Sequence, residues 1–168
     1  MSEHSVFNES EMELIDAARL ILADGVRRVQ GRKSLLPNSR RRDIGNECRE
    51  ARDVLAEHLK ATYGTLRHEI AVVVLIDAQG QLIAIEEFPQ GRATDCEIRP
   101  RLLAQYILRH DASAILLAHN HPSGKCSPSS QDVALTKHIG EWTRQMEVSL
   151  VDHLVLTSAD YCSIIGEW

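Results

Sequence analysis

Aromatic side chains are scarce in this chain of 168 residues, which has two Trp, three Tyr and two Phe. Aliphatic residues must therefore fill its core. Cysteine is also sparse. Cys48, Cys96, Cys126 and Cys162 are scattered, with no C-x-x-C pair, which argues against a disulfide framework and for reduced thiols in a cytoplasmic protein. No apolar run approaches the roughly 20 residues that a membrane-spanning helix requires. The opening Met1-Ser2-Glu3-His4-Ser5 has no basic stretch leading into an apolar one, so no secretory signal is expected. Internal repeats and low-complexity tracts are absent as well.

What is present fits one soluble domain with a small appendage, long enough to bury a core unaided. The net charge of −5 argues against a surface that binds nucleic acid everywhere. The charge is uneven, however. Residues 27–43 carry Arg27, Arg28, Arg32, Lys33, Arg40, Arg41 and Arg42 against Asp43 alone, about +6, which leaves about −11 elsewhere. This segment is either a solvated linker or a contact surface for nucleic acid or another acidic partner.

Along the chain, the spacing predicts a helix over Glu9–Val29, a basic loop over Gly31–Asp43, and a second helix over Gly45–Tyr63 with Val54, Leu55 and Leu59 on one side, ended by Gly64. The character changes at Glu69. The run Glu69–Ile76 is β-branched and apolar on both faces and reads as a central strand. A turn at Asp77–Gln81 leads to a partner strand over Leu82–Phe88. Pro100–His110 is a helix with proline in its first turn, and Ala114–Ala118 is a strand. Ser127-Pro128 reads as the cap and first position of a helix running to about Met146. Val148–Val151 and Leu154–Thr157 are short strands around Asp152-His153, and Tyr161–Ile165 a last one. The expected architecture is α/β, a central mixed sheet flanked by helices, with residues 1–64 as an N-terminal helical extension and 65–168 as the main domain.

The chemistry is concentrated in His119-Asn120-His121-Pro122-Ser123-Gly124-Lys125-Cys126-Ser127-Pro128-Ser129-Ser130-Gln131-Asp132. Two histidines two residues apart at the end of a strand put both imidazoles on one side of the backbone. Asp132 adds a carboxylate eleven residues after His121. Two nitrogens and one oxygen make a three-ligand zinc site with an open position for water, the arrangement of a catalytic zinc. Ser129 lies three residues before Asp132 and shares its helix face. The bland alternative is a satisfied polar cluster at a strand-to-helix turn. A zinc deaminase is excluded, because H-x-E and P-C-x-x-C are both missing.

The pattern His119-x-His121, seven residues, Ser129, two residues, Asp132 resembles the signature of the JAB/MPN (JAMM) metalloproteases. His119-Asn120-His121-Pro122-Ser123-Gly124 resembles their RadC branch in particular. The resemblance runs from about Glu69 to the end of the chain. It implies a three-layer, cytidine-deaminase-like α/β domain that holds zinc on His119, His121 and Asp132. It further implies Ser129 as the residue supporting the water or the oxyanion, and an upstream glutamate as general base. Glu69 fits that glutamate, at the mouth of the first core strand, where it would take a proton from the attacking water and deliver it to the leaving amine. Glu86 and Glu87 are rival bases on the second strand. His153 either buttresses the site or is a core residue. His110 and His138 read as helix-surface residues. Cys126, inside the loop, is a bystander, a competing soft ligand or an oxidation-sensitive thiol. The implied reaction is hydrolysis of a peptide or isopeptide amide in a peptide or protein substrate. The other readings are a DNA-repair or DNA-processing accessory that uses residues 27–43, and a non-catalytic scaffold.

Overall fold

The computed structural model describes residues 52–89 and 98–166. The expected helix over Glu9–Val29, the loop over Gly31–Asp43 with its basic segment, and the start of the second helix lie outside the described residues.

The described part of the first helix, α1, covers 52–63. It turns Leu55, Ala56 and Leu59 into the core, whereas Val54, expected on the same side, is exposed. Gly64 ends it, donating its N–H to the Lys60 carbonyl. A side chain at Gly64 would run into the carbonyl oxygens of Thr157 and Lys60, so only glycine lets the helix end approach the chain this closely.

Five strands follow: β1 (Ala71–Ile76), β2 (Leu82–Glu87), β3 (Ala114–Asn120), β4 (Ser149–Leu156) and β5 (Tyr161–Ser163). They form one sheet in the order β2-β1-β3-β4-β5. β3 and β4 are parallel and the other pairs antiparallel, which makes the sheet mixed, as expected. β1 and β3 lie inside the sheet and are covered on both faces. This is why their sequences are apolar throughout rather than alternating. The turn between β1 and β2 has Gly80 at φ 81° and Asp77 Oδ1 accepting from the backbone N–H groups of Gln79 and Gln81, an Asx turn.

Two further helices, α2 (Pro100–His110) and α3 (Ser130–Gln145), cover the face opposite α1. On the α1 face, Leu55, Ala56 and Leu59 pack on Val72, Val74, Leu116 and Leu154. On the other face, Leu103, Ile107 and Ile139 pack on Val73, Leu75, Ile115 and Leu117. The result is three layers, helix on sheet on helices. α1, the end of the expected N-terminal extension, contributes the whole of one layer among the described residues.

Two boundaries differ from expectation in ways that shape the site. α3 starts two residues late. Its cap is Ser129 rather than Ser127, because the Ser129 side chain accepts from the Asp132 N–H and the Asp132 side chain accepts from the Ser129 N–H, a reciprocal capping box. β4 is one strand rather than two. Its register against β3 slips by one residue, since Ile115 pairs with Leu150 but Leu116 with Asp152. Val148 and Leu150 face the α3 side, and unbroken alternation would send His153 to the α1 side. The extra residue reverses the parity and turns His153 toward α3.

No described helix is long and apolar enough to cross a membrane.

Candidate metal centre

β3 ends with His119 and Asn120, and His121 follows. His119 pairs directly across from Ala71 of β1. The Asn120 N–H donates to the Ile70 carbonyl (3.2 Å), which extends the same register one step. Glu69, just before β1, lines the same cavity as His119 and His121. Successive residues of a strand alternate in side, so His119 faces the α3 side with His121 and Glu69 beside it in the cavity wall, and Asn120 faces the other. α3 brings Asp132 in its first turn. The stripe Thr136, Ile139 and Thr143 is buried behind it, spaced as one face of a helix must be.

The ligand atoms converge. His119 Nε2 and His121 Nε2 are 3.0 Å apart. Asp132 Oδ1 is 3.4 Å from His119 Nε2, and Asp132 Oδ2 is 3.8 Å from His121 Nε2. Tetrahedral zinc with bonds of about 2.0–2.2 Å spaces its ligand atoms roughly 3.3–3.6 Å apart, and the three separations bracket that range. Each ligand is held from behind. Asp132 Oδ2 accepts from the Ser129 N–H at 2.6 Å. His121 Nδ1 lies 3.1 Å from the Lys125 carbonyl oxygen. A carbonyl can only accept, so Nδ1 carries a proton, the tautomer that turns the Nε2 lone pair to the cavity. His119 Nδ1 meets His153 Nε2 at 2.9 Å, which leaves its own Nε2 to the cavity.

Burial pushes His119 down to about 4, with His121 acting in the same direction and Asp132 against it. Burial pushes His153 down to about 3. Burial works to raise Asp132, but hydrogen bonds from Ser129 and the adjacent imidazoles outweigh it and hold the carboxyl below its usual value. Near neutral pH these buried rings are thus neutral and the carboxylate charged, which are the protonation states a metal ion requires of such ligands.

These side chains line a cavity of about 740 Å³, together with Glu69, Ser129, Lys125 and His153. Glu69 is half-buried there. The rival glutamates sit elsewhere. Glu86 bonds His110 Nε2 at 2.8 Å, and Glu87 is hydrogen-bonded to Tyr63. His110, expected on the helix surface, is thus half-buried at the end of α2, whereas His138 is exposed. Cys126 turns away from the ligands. Its free thiol donates to the Val155 carbonyl (3.5 Å) and lies within hydrogen-bonding reach of the Cys162 thiol, and burial pushes it up to about 12. A protonated thiol facing β4 is no competing ligand.

Two residues that sequence reasoning missed complete the site. Thr136 Oγ1 lies 2.7 Å from His153 Nδ1. The signal was its place four residues after Asp132, on the same helix face. Asn120 is fully buried. Its Oδ1 accepts from the Ile70 N–H at 2.8 Å, and its Nδ2 donates to the carbonyls of Leu66 and His68 at 3.1 and 3.0 Å. It thereby ties down the segment that carries Glu69. No local pattern announces that role, because its partners lie about fifty positions away.

Residues 48–167 match the profile of the RadC-like JAB domain. Among similar proteins are UPF0758 proteins of Paracidovorax citrulli, 34% identical over 81% of this chain and 56% of the relative; of Neisseria meningitidis serogroup B, 33% identical over 66% and 49%; and of Ralstonia pickettii, 35% identical over 64% and 48%. The chain spans about half the length of these relatives. With the profile covering most of the chain, and a His-His-Asp group able to hold a metal ion between the end of β3 and the start of α3, the chain belongs to the RadC-like JAB domain family.

Proposed function

We propose that the chain is a zinc-dependent hydrolase that cleaves a peptide or isopeptide amide with an activated water. The single observation that carries this reading is the convergence of His119 Nε2, His121 Nε2 and an Asp132 carboxylate oxygen within 4.8 Å of one another. The donor set, two imidazoles and one carboxylate, suits zinc and leaves a coordination position free. When bound, zinc polarises the scissile carbonyl and brings the pKa of water near neutrality.

The chain's own residues do the rest. Glu69, half-buried in the cavity wall, accepts the proton of the attacking water and returns it to the departing amine. Ser129 uses its hydroxyl oxygen to accept from the Asp132 N–H at 3.1 Å. Its hydroxyl proton, within reach of the Asp132 carboxylate, would turn from it to support the oxyanion of the tetrahedral intermediate. The capping box holds the Asp132 carboxylate, and the His153 ring holds His119. Lys125 at the rim supplies a positive charge to the substrate side.

The test is a peptide and isopeptide cleavage screen on zinc-loaded protein, with Glu69→Gln as its control. Turnover in the wild type that falls about 10²–10⁴-fold in Glu69→Gln, with zinc content unchanged, is the expected result. Turnover that survives in Glu69→Gln contradicts the assigned base, and no turnover across the screen contradicts the hydrolase reading.

A further inference from the structure

We propose that Thr136 is a positioning residue for the metal ligand His119. It acts through His153 by dictating which nitrogen of each ring carries the proton. The inference rests on the reading of His119 as a ligand and goes beyond it, to what keeps that nitrogen free.

The argument is a count of protons along one chain of contacts. Thr136 Oγ1 lies 2.6 Å from the Asp132 carbonyl oxygen. That oxygen has no proton to give, so the single hydroxyl proton of Thr136 points at it. Thr136 Oγ1 also lies 2.7 Å from His153 Nδ1. With its proton committed, the hydroxyl can only accept there, so His153 carries its proton on Nδ1. A neutral imidazole has one N–H, which makes His153 Nε2 an acceptor. It sits 2.9 Å from His119 Nδ1, so His119 must donate from Nδ1. The lone pair of His119 is thereby left on Nε2, the atom 3.0 Å from His121 Nε2 and 3.4 Å from Asp132 Oδ1. Every step is forced by the one before it, and the chain starts at a backbone carbonyl that cannot change its role.

All three side chains in the chain are buried, so water does not interrupt it. The two rings meet nitrogen to nitrogen at 2.9 Å, a contact that needs an N–H on one ring and a lone pair on the other. The arrangement also couples three elements. Thr136 is on α3, His153 on β4 and His119 on β3. Thr136 takes its acceptor from Asp132, the residue whose side chain completes the ligand set. One hydroxyl thus ties the backbone of one ligand to the ring orientation of another, a role of the kind that outer partners of metal-bound histidines play.

Replacing Thr136 by the isosteric valine keeps the volume and removes the acceptor. The His153 Nδ1–H would then be an orphaned buried donor, costlier than an orphaned lone pair. The ring would shift its proton to Nε2 and donate to His119 Nδ1. His119 would then hold its proton on Nε2, where the metal should bind.

The experiment uses the full chain in wild-type, Thr136→Val and Thr136→Ser forms. The first readout is the ¹⁵N chemical-shift pattern of the imidazoles in metal-free protein, which reports the tautomer of each ring. The second is zinc affinity, from competition with a chromophoric chelator. We expect His119 protonated on Nδ1 in wild type and Thr136→Ser. In Thr136→Val we expect a shift toward the Nε2–H form and zinc binding about 10- to 100-fold weaker. A threonine that merely packed α3 against the sheet would lower the melting temperature of Thr136→Val and leave the tautomer unmoved. A wild-type His119 protonated on Nε2 overturns the inference, whether or not Thr136→Val folds. So does a folded Thr136→Val with the wild-type tautomer and zinc affinity. A wild type with the expected tautomer that binds no zinc would instead refute the zinc reading and leave the proton chain standing.

Discussion

The two faces of the sheet are built from alternate residues of the same strands, yet their polar groups end in opposite conditions. On the α1 side, Val72, Val74, Leu116 and Leu154 are sealed under α1, and the polar exceptions are turned back onto protein. Asn120 uses its carbonyl and amide on backbone groups of the segment before β1. Asp152 Oδ1 accepts from the His153 N–H and the Ser163 hydroxyl at 2.7 and 2.8 Å, while its Oδ2 is buried without a close hydrogen-bond partner among the described residues. On the α3 side, His119, His121 and Asp132 each use one side on protein and leave one atom facing the cavity. The carboxylates show the difference most directly. Burial raises the pKa of Asp152, against the pull of Ser163 and nearby backbone donors. Asp132 is lowered, because Ser129 and two imidazoles outweigh its burial. A polar group turned onto protein, away from any cavity, is structural. A set of groups with one open atom each, aimed at a common point, is a binding site.

The comparison can be broken first at the apolar face. Leu116 is fully buried under α1, and Leu116→Ala should cost about 2–5 kcal/mol of stability while leaving zinc stoichiometry unchanged. Urea unfolding beside elemental analysis would check both halves, and a loss of zinc in the folded variant would mean that the two faces are not independent.

Acid should act on the two faces with opposite sign. The folded-state values of about 4 for His119 and about 3 for His153 lie below the ordinary 6.5. Below about pH 6.5 the unfolded chain takes up protons that the folded rings refuse. Their contribution is complete above that pH and is lost on acidification through about 4 and then about 3, by on the order of a few kcal/mol in the metal-free protein. Asp152 is raised, so the folded state holds its proton more readily than the unfolded one. Its contribution therefore grows as the pH falls through its folded value and partly offsets the loss. Urea midpoints across that range should fall with acid, and should fall more steeply in Asp152→Asn. A flat wild-type profile would contradict the neutral buried rings.

The smallest expected effect is at the cap. Ser129→Ala removes the acceptor for the Asp132 N–H and should cost about 1 kcal/mol, together with a weakening of zinc binding as the Asp132 carboxylate loses its frame. Thermal melts and zinc titration would measure the two, and unchanged zinc affinity would show that the capping box does not hold the ligand.

Much of this was legible before the structure. The apolar runs of β1 and β3 and the proline at the start of α2 set the sheet and the helix Pro100–His110 to within a residue or two. The histidine pair, Ser129 and Asp132 could be read together because strand and helix periods place them on one side. The rest was hidden for physical reasons. The start of α3 was misjudged because Ser127-Pro128 has the right local chemistry for a cap, whereas Ser129 wins through its reciprocal bonds with Asp132. β4 was split because its one-residue slip against β3 interrupts the alternation, and a slip of register depends on the partner strand. Asn120 and Thr136 act through groups distant in sequence or through a neighbouring ring, so neither carries a local signature. Val133 lies in the first turn of α3, where an apolar residue is expected to pack, yet it is 49% exposed.

The most direct measurement is the zinc content of the purified full chain beside His119→Ala and Asp132→Ala, by elemental analysis after zinc is supplied and excess removed. The account predicts about one zinc per chain in wild type and loss from both folded variants. A wild type that takes up no zinc, or variants that retain it, would contradict the claim that these side chains converge in order to hold a metal.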